Sequence, residues 1–217
     1  MSNVARRLAV AVAFPIAATF AGGVTPSAVS AQQSRSELHD SMRKLWSDHV
    51  TWTRAYIVSV AAGLPDRDAT TQRLMQNQAD IGAALVPYYG DESGGKLTGL
   101  LREHMLTAGE VIAAEKSGST VKTDSANTKW RANADEMVDF LHEANPKYWT
   151  TSGLRSMMYT HCDQTLAETE HRLKKDYAAD ILDFDAIEKH ALMMADMISD
   201  GIVAQFPEKF AAAKKGN

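Results

Sequence analysis

The chain predicts an all-α fold, an antiparallel bundle of about six helices. Three observations carry this. Apolar residues recur at helical spacing through most of the chain. No stretch sustains the period-two alternation of a strand. Gly and Pro clusters interrupt the periodic segments, leaving short connections that make neighbouring helices antiparallel.

Residues 1–31 read as a secretory signal peptide. Arg6 and Arg7 precede an apolar run from Leu8 to about Phe20, and Val29-Ser30-Ala31 suits signal peptidase. The run is too short and too rich in Ala and Gly to span a membrane. The expected mature domain is 32–217, exported to the periplasm, the cell envelope or the extracellular space, with no integral membrane span after processing. Losing Arg6 and Arg7 takes the formal charge from −4 to −6. An acidic domain without a basic stripe argues against a nucleic-acid partner. Cys162 is the single cysteine, so stability rests on packing or a ligand rather than an internal disulfide.

The helices follow in order. The first spans about Ser36 to Ala62 and stops at Gly63-Leu64-Pro65-Asp66. The second runs from about Asp68 to Tyr88-Tyr89-Gly90, and the third from about Glu92 to Lys116, before Ser117-Gly118-Ser119. The fourth covers about Thr123 to Ala144, ahead of Asn145-Pro146. The fifth covers about Thr151 to Lys175. The sixth runs from Tyr177 or Ala178 to Gln205 and is apolar nearly all round, as a central helix would be.

Three histidines, His49, His104 and His161, recur at nearly equal intervals in similar frames. Each has an apolar residue four positions before it and Thr or Ala four positions after it: Thr53, Ala108 and Thr165. Each sits at the centre of its helix's apolar sector. The period of about 56 residues raises an internal repeat of three helical hairpins. The even helices contribute Asn77 and Asn133 at inward positions, with Asp185-Ala-Ile-Glu188 as a looser third match. Coincidental spacing of similar hairpins is the alternative. On the sixth helix, Asp185, Glu188 and Asp196 fall on one side, where charge needs a partner or a metal. His39, His142, His171 and His190 fall toward polar faces.

Two readings of the core stand side by side. Three neutral imidazoles with Glu188 suit Zn, Fe, Mn or Cu, with Asn77, Asn133, Thr53 and Thr165 fixing the imidazole tautomers. The same groups also suit a metal-free hydrogen-bonded network that sets helix register, in a structural or interaction domain of the envelope. Cys162 and the many methionines bring copper into consideration, although Met also fills ordinary cores. Histidine-ligated haem suits a bundle, but no Cys-x-x-Cys-His motif is present. Glu168-Thr-Glu-His171 has the spacing of a di-iron carboxylate helix but lacks a second copy and falls off the apolar face. Arg54, off the apolar centre, is expected to pair with a carboxylate. No nucleotide loop and no nucleophile elbow occur. Catalysis stays undetermined and would need an open metal position and a pocket.

The chain also resembles a group of small bacterial all-helical proteins. The resemblance rests on Trp46-x-x-His49-Val-x-Trp52-Thr-Arg54, Ala62-Gly63-Leu64-Pro65-Asp66, Arg73-Leu74 and Asn77. It continues through Asn133-Ala-Asp-Glu136, Tyr159-x-His161 and Ala191-Leu-Met-Met-Ala-Asp196. Members often carry automatic names such as acetylglutamate kinase or glycosyltransferase, which these residues do not fit. The resemblance implies the helical fold and these polar positions. It supplies no reaction, and the export signal sets this chain apart.

Overall fold

The computed structural model describes residues 34–210, so the expected signal peptide lies outside the described residues. The described residues form five α-helices and one short 3-10 turn, with no strand. The first helix, α1 (Arg35–Ala62), starts at a reciprocal cap. Ser34 Oγ accepts from the Glu37 amide at 3.2 Å, and the Glu37 carboxylate accepts from the Ser34 amide at 2.6 Å. Gly63, at φ 67°, ends it in the left-handed conformation.

The second and third expected helices are one continuous element, α2 (Arg67–Ser117), bent at Gly90 with φ 82° and ψ 169°. That backbone region is open almost only to glycine, and it folds the element back on itself. A Cβ at Gly82 would lie 2.0 Å from Thr98 Oγ1 and 2.5 Å from the Gly94 carbonyl oxygen. Residues so far apart along a straight helix could not touch, so the arms 67–89 and 91–117 are antiparallel neighbours. Counting α2 as one element gives five helices where six were expected, and its two arms correspond to the second and third expected helices, divided at Gly90 with no loop between them.

Next come α3 (Thr120–Ala144), α4 (Thr151–Lys174) and α5 (Tyr177–Gln205). Lys175, at φ 63°, turns the chain out of α4, and the Asp176 carboxylate caps α5 by accepting from the Ala179 amide at 3.2 Å. In sequence order each helix packs on the next, and α5 returns to α1, so the helices ring a shared core. No helix among the described residues is long and apolar enough to cross a membrane.

Charge near the core is held at one buried cluster. Arg54 donates to Glu168 at 2.6 Å and to both Asp180 oxygens at 2.9 and 3.0 Å, linking α1 to α4 and α5. Arg172 adds a bond to Asp180 at 3.3 Å. Glu168 is thus buried rather than off the apolar face, and Arg54 has the carboxylate pairing its position called for.

Close approach of the α2 arms makes a test. Gly82→Ala forces a Cβ into a backbone carbonyl and should destabilise by ~1–3 kcal/mol. Gly99 is exposed with nothing near its Cβ position, so Gly99→Ala should stabilise by ~0.5–1 kcal/mol through helix propensity. Urea midpoints shifting alike in both variants would contradict the hairpin.

Candidate functional site

His49 on α1, His104 on the second arm of α2 and His161 on α4 all line one largely buried cavity of about 30 Å³. Each is almost fully buried. The rest of the wall is apolar and follows a threefold pattern. One turn before each histidine the wall has Trp46, Leu101 and Met158. Near the next turn back it has Met42 and Leu97. The facing helices supply Ile81, Met137 and Met194, and then Leu85, Leu141 and Ile198. Corresponding positions recur about 56 residues apart.

Hydrogen bonds follow the same pattern. Asn77 Nδ2 donates to the Leu45 carbonyl at 3.0 Å, and Asn133 Nδ2 to the Leu100 carbonyl at 3.3 Å. His190 Nε2 donates to the Met157 carbonyl at 2.9 Å. Donor and acceptor are 32, 33 and 33 residues apart. Each accepting residue lies four positions before its histidine. The third place in the pattern therefore belongs to His190, which is buried, contrary to the expectation of a polar face.

Glu188 does not join the histidines. It is half-buried, accepts from Ser47 Oγ at 3.0 Å and is not in the cavity wall. Asp185 is exposed, and Asp196 pairs with Arg43 at 2.5 and 2.7 Å. The buried acid of α5 is Asp180 instead. The apolar wheel of α5 has no single inward direction, so it could not rank these acids. Thr53 and Thr165 are buried beside the site, but their hydroxyls donate to the backbone carbonyls of His49 at 2.8 Å and His161 at 2.9 Å. They are used by the backbone of their own helices and do not orient the rings.

The tautomers differ between sites. Because the Leu100 carbonyl can only accept, Asn133 turns its Oδ1 to His104 Nδ1 at 2.9 Å. His104 Nδ1 must donate, so its Nε2 bears a lone pair. That Nε2 is buried without a hydrogen-bond partner. At His49 the opposite holds: Gln78 Nε2 stands 3.3 Å from His49 Nδ1 and can only donate. The same amide also reaches the Leu74 carbonyl at 2.9 Å and Asn77 Oδ1 at 3.2 Å, so the His49 contact is its longest. Asn77 thus reaches His49 only through Gln78. His161 Nδ1 is buried without a partner. Its ring centroid lies 5.6 Å from that of His49. Trp130 tilts against His104 at 5.2 Å.

Sequence reasoning missed Gln78 and His190. Gln78 is hidden beside the more conspicuous Asn77. His190 stands to His161 nearly as Asn133 does to His104, a register that a search for an acid passes over.

Among the described residues, no three His, Cys, Asp or Glu side chains stand in metal-holding geometry. No family model matches the chain, and comparisons with curated proteins and with solved structures find no match.

Burial pushes His49 down to about 4, with repulsion from His104 adding to it. It pushes His104 to about 3, with His161 adding, and His161 to about 3, with His49 and His190 adding. All three are neutral at pH 7. An unfolded histidine titrates near 6.5, so below that pH the unfolded chain binds more protons and stability falls. The contribution is complete above about 6.5 and is lost as pH drops toward 3–4. Around pH 5 the three together should cost ~4 kcal/mol per pH unit. Glu168 opposes part of this. Burial pushes it up to about 7 despite Arg54, so its share is lost as pH rises from 4.5 through 7. Chemical denaturation at pH 7.5, 6 and 5 should show a steep decline, shallower in H49Q/H104Q/H161Q. A flat wild-type profile would contradict burial of neutral imidazoles.

Proposed function

We propose that the bundle binds a transition-metal ion through His49, His104 and His161. The observation that carries this reading is the His104 Nε2 lone pair, locked in place by Asn133 and left without a partner in the wall shared with the other two rings. Outer hydrogen bonds of this kind are how metal-bound imidazoles are oriented. The spacing of His49 and His161 is compatible. Two imidazoles on one metal at about 2.0–2.1 Å would have centroids roughly 5.2–5.5 Å apart, close to the 5.6 Å between these rings. Loading asks His49 to give up its long contact with Gln78 and present a lone pair. Glu188 is no ligand in this arrangement.

The size of the cavity narrows the role. Pockets for organic ligands run to hundreds of cubic ångströms, and about 30 Å³ holds an ion or one to two waters. Retention of an ion therefore fits this site better than turnover of a metabolite.

A metal-free structural core is the second reading. It is favoured by the His49 tautomer and by the three side-chain bonds to helix carbonyls, which serve helix register without any ion. Elemental analysis separates the two. Tag-free full-length chain, reconstituted separately with Zn, Fe, Mn and Cu and desalted, should retain about one ion per chain, the capacity of a single three-imidazole site. H49A/H104A/H161A should retain none. Absence of every metal from the folded wild-type chain would leave the structural reading.

We further propose export, supported by Arg6-Arg7, the apolar run and Ala31. Intact mass of the protein from its native cell envelope or medium should match a chain beginning near Gln32. A full-length mass in the cytosolic fraction alone would refute export.

A further inference from the structure

The donor set around the cavity is unusual in what it lacks. No Asp, Glu or Cys lines it. Beside the three imidazoles, the atoms able to donate to a metal from the wall are the thioethers of Met42, Met137, Met158 and Met194. They come from α1, α3, α4 and α5, four of the helices that wall the cavity.

The electrostatic cost of burying an ion grows with the square of its charge, so a divalent ion costs about four times a monovalent one of equal size in the same medium. A wall without a carboxylate or thiolate offers no negative charge to offset that cost. Imidazole accepts copper as readily as other transition metals, whereas thioether donors are soft and favour cuprous copper over the harder divalent ions. Charge cost and donor softness both favour a soft monovalent ion.

We propose that the cavity is selective for Cu(I), held by the histidine imidazoles and one or more of these thioethers. This rests on the metal-binding reading above and specifies its ion. The site takes up copper already in the cuprous state and performs no redox step.

The test is an anaerobic titration of tag-free full-length chain with Cu(I) against a chromogenic cuprous chelator, beside a Zn(II) titration against a zinc chelator. One Cu(I) per chain should bind at least about tenfold more tightly than Zn(II). X-ray absorption of the copper-loaded wild type should find sulfur as well as nitrogen neighbours. M42L/M137L/M158L/M194L keeps side-chain bulk and should lose about tenfold in Cu(I) affinity with Zn(II) affinity unchanged. If that variant fails to fold by circular dichroism, the single variants M158L and M194L and the wild-type absorption spectrum carry the test. Zn(II) bound as tightly as Cu(I), or a copper site with nitrogen neighbours alone, overturns the cuprous assignment and leaves metal binding standing. Neither ion bound by the folded chain overturns both. So does Cu(I) binding undiminished in H49A/H104A/H161A, which would place the copper elsewhere.

Discussion

Burying three neutral imidazoles around one small apolar cavity is the constraint on which the rest of this structure depends. A buried polar group is tolerable only when its hydrogen bonds are made inside the protein. The chain meets that condition only in part, while it ties the helices together close to the histidines. Asn77, Asn133 and His190 each bond a carbonyl one turn before a histidine on the neighbouring helix. That carbonyl has a second lone pair to accept the extra bond while remaining in its helix. The same bonds therefore fix helix register and set the imidazoles facing a common space.

The remaining polar groups are arranged so that this space stays free of charged side chains. The two buried carboxylates, Glu168 and Asp180, are gathered by Arg54 and Arg172 into a separate cluster. Asp196 is drawn outward to Arg43 and His39, and His171 to Asp183. Satisfying every hydrogen bond would make a purely structural core. His104 Nε2 and His161 Nδ1 are buried without partners, as are the indole nitrogens of Trp46 and Trp130 and the Gln78 Oε1 atom close to them. Buried orphans of this kind ask for an explanation, and the metal ion proposed above would supply one for the His104 lone pair.

Much of the fold was legible in the chain. Gly63, Gly90 and Gly118 mark turns because each takes a positive φ, and apolar periodicity between them is enough to write helices. The inward placement of His49, His104, His161, Asn77 and Asn133 followed from the same periodicity. Where a helix is apolar on most sides, periodicity has no direction to report. On α5 that led to Glu188 in a place the fold gives to His190. Adjacent residues are also hard to rank, which is why Gln78 stayed hidden behind Asn77.

By itself the sequence determined the helices, their ends, and a threefold spacing of inward histidines, because these depend on local backbone preference and on which side of a helix repels water. Tertiary structure alone decided that the histidines share one cavity, which lone pairs are free, and that four thioethers but no carboxylate complete the wall. Those properties depend on how far apart helices sit and how each is rotated about its axis. Packing of the whole ring of helices sets both.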